Sequence, residues 1–388
     1  MDLNVGHRIL EVLSKTLRGN AFCKRTVYDP LKVHMRQRLL TFRYMLQYLE
    51  RNREVEGGVP DSIEGHGLAM VGILKDPFFA HEPYAAACRE LGVGYRIVDV
   101  FAADWIEQVL ASRCDMFFVW PGESISEWKK LYDDRLRFLV EQMGKKVFPD
   151  LQACWIYGSK ERQVAWLKLK GFPHPRSWNF FSENEAQCFV GAFDFGVGAL
   201  VGKTDIGAVA SGVMILRNRK SALAYVKKAF GKGIQGYYAD GQTRQWRHVL
   251  LQEYLAEVKE WRIIRLGDSF FGFGKLKKGE FHSGSHEFEH VPPPKRVFDL
   301  AWEITEKGNF KSMSVDIFET AEGRLFVNEL QCVCGQHSSD LLYKDGVSGR
   351  LCRAPTGEWS FEAGTFADLH GCKLRVLAGL EMLEGDKT

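Results

Sequence analysis

Long hydrophobic runs are missing: nowhere in the 388 residues does an apolar stretch approach the ~20 that a spanning helix needs. The opening residues 1–20 lack an apolar core and a small-residue cleavage site, so no secretory signal is read there. Proline is scarce, 12 against 38 glycines, and excess charge is scarcer, since 52 basic and 49 acidic residues leave +3. Such a chain is neither collagen-like nor strongly basic, so neither nucleic acid nor membrane is expected as a partner, and a homodimer stays open. The nine cysteines are odd in number and spread from Cys23 to Cys372, in a chain long enough to bury a core without covalent staples. A reducing, cytoplasmic setting is expected. Also missing are an internal repeat, a GxGxxG dinucleotide fingerprint and a convincing Ser/His/Asp or Cys/His arrangement.

What is present, 45% hydrophobic and 13% aromatic residues, suffices for two or three folded domains. Basic residues concentrate at the start: 11 Lys/Arg up to Arg53 face four acids (Asp2, Glu11, Asp29, Glu50). Leu39, Phe42, Met45, Leu46 and Leu49 recur there at helical spacing, so residues 1–60 read as a basic helical extension. After the turn residues Glu56 to Asp61, apolar runs at Leu68–Leu74, Tyr95–Val98, Met116–Val119 and Lys146–Phe148 alternate with helical stretches. That alternation predicts an α/β Rossmann-like domain over 67–150. Ligands of open parallel sheets sit at the carboxyl ends of the strands, which makes Lys75, Asp76, His81, Glu82 and the turn Trp120 to Glu123 candidates. From 151 to 335 the pattern is α+β and mostly antiparallel, and 336–388 reads as a closing hairpin and helix.

Gly196 to Thr204 imitates a P-loop but fails its spacing: Gly198 leaves three residues before Gly-Lys-Thr and Gly196 leaves five, where four are needed. What remains is Lys203 ending an apolar strand, followed by the small-residue loop 204–213, whose backbone can approach polyphosphate. Further on, Asp316, Glu329 and Gln331 fall on paired strands where residues two apart share a face, offering hard oxygen ligands for Mg²⁺. Read as exposed positions on a hairpin, they are expected to tolerate substitution without unfolding. Cys332, Cys334 and His337 have poor zinc spacing, and buried cysteines beneath the metal strand are the favoured reading.

Taken in order, these segments resemble the ATP-grasp superfamily, the fold of glutathione synthetase and D-alanine:D-alanine ligase. Gly158-Ser159-Lys160, a helix and Gly171-Phe172-Pro173-His174-Pro175 look like its opening segment, and Lys203 with the loop after it, including Gly207, Ser211 and Gly212, looks like the second lysine and phosphate loop. Leu251 to Leu255 resembles the interdomain hinge, and Glu260-Trp261-Arg262 the acidic residue and arginine that follow it. Lys275 and Gly279 to Ser283 are similar to the reaction-centre turn, while Asp316, Glu329 and Gln331 match the metal motif, with Gln331 in place of the usual Asn.

The resemblance implies a Rossmann-like pre-ATP-grasp domain followed by α+β ATP-grasp domains, binding ATP and two Mg²⁺ ions. It implies phosphate contacts for Lys160, Lys203, Gly207, Ser211 and Gly212, base and ribose contacts for Glu253, Leu255 and Glu260, and reaction-centre roles for Arg262, Lys275 and His282. Small-molecule carboxylate and amine substrates, joined through an acyl phosphate, are the implied chemistry. A kinase on the same fold, acting on a hydroxyl, and a catalytically silent nucleotide-binding module are the alternatives.

Overall fold

The computed structural model describes residues 60–65, 70–76, 80–122, 126–207, 212–235, 244–277, 279–280, 287–289, 291–335 and 339–385. The expected extension over 1–60 lies outside them but for Pro60, as do the site candidates Ser211 and His282. From Asp61 onward the chain forms one unit.

Its first layer runs β1 (Ser62–Ile63), β2 (Val71–Leu74), α1 (Glu82–Glu90), β3 (Tyr95–Val98), α2 (Trp105–Ser112), β4 (Met116–Phe118), α3 (Ser126–Glu141) and β5 (Lys146–Phe148). The strand order is β1-β3-β2-β4-β5, parallel except for β1, which pairs antiparallel with β3. Every residue of β2 and β4 is buried, which is why these strands read as unbroken apolar runs.

Next come α4 (Leu151–Ile156), α5 (Lys160–Lys170), β6 (Ser177–Phe180), α6 (Glu183–Ala192), β7 (Leu200–Lys203), β8 (Met214–Leu216), α7 (Arg219–Phe230), β9 (Ile234–Gln235), β10 (Arg244–Gln245) and β11 (Val249–Glu253). Helix α5 is capped at its start by Ser159, whose hydroxyl accepts from the Arg162 N–H, and at its end by Gly171 in the left-handed region. Strands β6-β11-β7-β8 form an antiparallel sheet. Helices α6 and α7 complete a small lobe with its own core, where Val190, Leu200, Leu216, Val226, Val249 and Leu251 pack together.

The remainder is β12 (Lys259–Leu266), β13 (Ser269–Lys275), β14 (Phe288–Glu289), α8 (Lys295–Gly308), β15 (Ser312–Glu319), β16 (Leu325–Gln331), β17 (Tyr343–Lys344), β18 (Val347–Arg353), β19 (Trp359–Ala363) and α9 (Asp368–Gly385). These strands make an eight-stranded antiparallel sheet in the order β16-β15-β12-β13-β18-β17, with β14 added to β13 and β19 to β18. It shares one core with the first layer, Leu74, Val98 and Phe117 belonging to the same cluster as Ile263, Phe271 and Val315. Beyond 335 the expected hairpin is β18 paired with β19, and α9 packs against α1 after a left-handed kink at Leu369, His370 and Gly371. No helix among the described residues is long and apolar enough to cross a membrane.

Candidate active site

Two groups of cations meet where the small lobe faces the eight-stranded sheet. On the lobe side, β7 ends in Lys203, whose ammonium donates to Asn328 Oδ1 on β16 at 3.3 Å and so bridges the two sheets. Burial, helped by the nearby Lys160 charge, pulls Lys203 down to about 8. Lys160, first residue of α5, donates from Nζ to the Gly207 carbonyl at 2.7 Å and the Asp205 carbonyl at 3.4 Å. The Thr204 N–H donates to the Gly212 carbonyl at 3.1 Å and closes the stem of the small-residue loop. Gly212 sits at φ +70°, and a Cβ there would lie 2.3 Å from Thr204 Oγ1, so both conformation and space require glycine.

On the opposite side, antiparallel register sets Arg262 beside Asp316, Asp316 beside Glu329, and Glu260 beside Lys275. Arg262 forks onto Asp316, Nε to Oδ1 at 2.7 Å and Nη2 to Oδ2 at 2.8 Å, and Nη2 also reaches Gln331 Oε1 at 3.1 Å. Lys275 Nζ donates to Glu260 Oε1 at 2.5 Å and to Asp316 Oδ2 at 2.8 Å. Burial pushes the Glu260 carboxyl up despite Lys275. Burial also works against the charged form of Asp316, but Arg262 and Lys275 outweigh it and hold this carboxyl well below the usual range. Asp316 is therefore no exposed hairpin residue: at 1% exposure it neutralises two cations inside the sheet, which corrects the expectation of a tolerant surface position.

The β15–β16 register slips between Asp316 and Ile317, where Glu329 faces Asp316 and Val327 faces Ile317. Asn328 is the extra residue of this bulge, and its amide meets Lys203. Asp316, Glu329 and Gln331 together offer two carboxylates and an amide oxygen, a donor set that suits a hard cation, although Arg262 at present holds Asp316 and Gln331. Among the described residues no three His, Cys, Asp or Glu side chains are gathered as a metal group.

No protein-family model matches the sequence, and no curated protein matches it. Solved structures do. D-alanine–D-alanine ligase from Bacillus anthracis, complexed with ATP, is similar over 83% of this chain and 100% of its own, with a TM-score of 0.51 and 14% identity. N5-carboxyaminoimidazole synthetase from Staphylococcus aureus, complexed with ADP, is similar over 82% of this chain and 79% of its own, with a TM-score of 0.52 and 12% identity. The chain has the ATP-grasp fold. At these identities the likeness is one of fold.

Within this ATP-grasp fold, Glu253 and Leu255 lie where β11 of the small lobe passes to β12 of the large sheet. Both Glu253 carboxylate oxygens accept from Arg176, Oε1 from its N–H and Oε2 from Nε, each at 2.7 Å. The first-layer candidates hold a turn: the Asp76 N–H donates to His81 Nδ1, and Asp76 Oδ2 accepts from the Ala80 N–H. Burial, with the Lys75 charge, pulls His81 down to about 4 and keeps it neutral. Cys332 and Cys334 are buried. Sequence reading missed Asn328 and Asp205. No pattern announces a bulge, and in the sequence Asp205 is one polar residue of a small-residue loop.

Proposed function

We propose that this ATP-grasp chain is an ATP-dependent carboxylate–amine ligase acting on small-molecule substrates. The observation that carries the reading is the bridge of Lys203 to Asn328, which brings the Lys160–Lys203 pair to the face of the sheet that bears Arg262, Lys275, Asp316 and Glu329. Four cations face three carboxylates there, counting Glu260, an arrangement able to accept the negative charge of a polyphosphate.

A carboxylate is a poor electrophile. Transfer of the γ-phosphoryl group of ATP to its oxygen gives an acyl phosphate and ADP; attack by an amine then forms the amide, expels phosphate and releases a proton. Lys160 and Lys203 would hold the phosphates, and Arg262, turning from Asp316 toward the transferring phosphoryl, would offset charge as it builds. Asp316, Glu329 and Gln331 would hold Mg²⁺, which neutralises phosphate charge when bound. With Glu253 engaged by Arg176, recognition of the base falls to backbone groups around Leu255, and Glu260 would reach the ribose.

The test is incubation with Mg²⁺, ATP, candidate carboxylic acids and hydroxylamine. Hydroxamate with ADP is the expected outcome. A durable phosphoester would instead mark a kinase, and absence of ATP binding would overturn the nucleotide assignment. Lys160→Ala/Lys203→Ala protein should lose calorimetric ATP binding.

A further inference from the structure

Asp205, two residues beyond Lys203, sets its carboxylate on the first turn of α5, the helix that opens with Lys160. Its contacts account for this placement. The carboxylate accepts from Ser159 Oγ at 2.9 and 3.0 Å and from the Glu161 N–H at 2.8 Å, while its carbonyl accepts from the Lys160 N–H at 3.2 Å and from Lys160 Nζ at 3.4 Å. The Asp205 N–H donates to Gln245 Oε1 at 2.5 Å, and Gln245 Nε2 in turn donates to the His248 carbonyl. Every polar atom of Asp205 is thus bound by protein.

We propose that Asp205 is a positioning residue that pins the stem of the small-residue loop onto the first turn of α5, fixing Lys160 relative to Lys203. The proposal rests on the nucleotide reading. A helix N-terminus attracts any anion, and Asp205 occupies that position from within the chain. Polyphosphate is thereby directed to the lysine side chains instead of the helix end. Lys160 Nζ rests on carbonyls of the same stem, so the lysine and the loop hold their places together. A carboxylate suits this position because one oxygen takes both the Ser159 hydroxyl and the Glu161 N–H, bonds that a charged acceptor strengthens.

Calorimetry on the full chain, with MgATP and separately with adenosine, tests this. Asp205→Ala should weaken MgATP binding by about tenfold or more, the loss expected for charge-assisted hydrogen bonds, while adenosine binding stays within about twofold. Asp205→Asn, which keeps an acceptor oxygen, should recover part of the loss. A role confined to stability would lower the melting temperature and leave the MgATP-to-adenosine ratio unchanged, and that outcome overturns the proposal. If Asp205→Ala does not fold, Ser159→Ala and Asp205→Asn probe the same contact, and unchanged MgATP affinity in both overturns it equally. Wild-type protein that binds no MgATP would refute the nucleotide reading itself, a result separable from wild-type binding that Asp205 does not influence.

Discussion

Lys203 carries a charge that its surroundings resist, titrating near 8 because burial and Lys160 both oppose the ammonium form. A polyphosphate reverses that balance and raises it again, so MgATP binding around pH 8–9 should take up a proton and affinity should fall as pH rises through that window. Calorimetry in two buffers of different ionisation enthalpy reads the proton directly, and Lys203→Arg should abolish the uptake. The two carboxylates facing each other on β15 and β16 should respond differently to loss of charge. Asp316→Asn leaves the buried Arg262 without its counter-charge and Lys275 with Glu260 alone, and should cost about 3–5 kcal/mol in a denaturant titration. Glu329→Gln, at a half-buried position, should change stability by only about 0.5 kcal/mol yet stop ADP production. Sequence alternation placed both side chains on one face correctly. It could not show that β12 and β13 bring Arg262 and Lys275 into ion pairs with Asp316, because that follows from register across three strands.

Among the elements, the parallel strands were legible because burial on both faces leaves unbroken apolar runs, as in Met116–Phe118. Strand β6 and helix α6 were not. Ser-Trp-Asn-Phe is half-buried along its whole length and follows a proline pair, while Glu183–Ala192 buries only Ala186 and Val190. Both are specified by the small lobe they pack in more than by a local pattern. Strand β7 shows the same dependence, since Gly202 lies beneath the Tyr225 ring of α7 and a Cβ there would approach it to 2.5 Å. Gly202→Ala should therefore destabilise the lobe by about 1–3 kcal/mol through overpacking. Hydrogen exchange should accelerate across 177–253 and leave β12, β13 and β15 protected, because the small lobe and the large sheet have separate cores.

At the scale of the whole molecule, the hydrophobic core cluster of the small lobe lies apart from the one that joins the first layer to the large sheet, so heating should give two calorimetric transitions. Under the proposed function MgATP would touch both parts and should raise the lower transition toward the upper one. The lobe also begins and ends at one place: β6 and β11 are paired neighbours, Ser177 opposite Gln252, and Arg176 clasps Glu253 at the neck. A contiguous segment with adjoining ends and a private core behaves as a removable cassette. Residues 176–253 expressed alone should fold cooperatively, and a chain in which a short Gly-Ser bridge replaces them should keep its large sheet while losing nucleotide. Circular dichroism of the two halves, each with its own melting curve, is the measurement. The proposed grip on ATP would then be a contact between two independently stable bodies, open to exchange of one lobe for another without redesign of the rest.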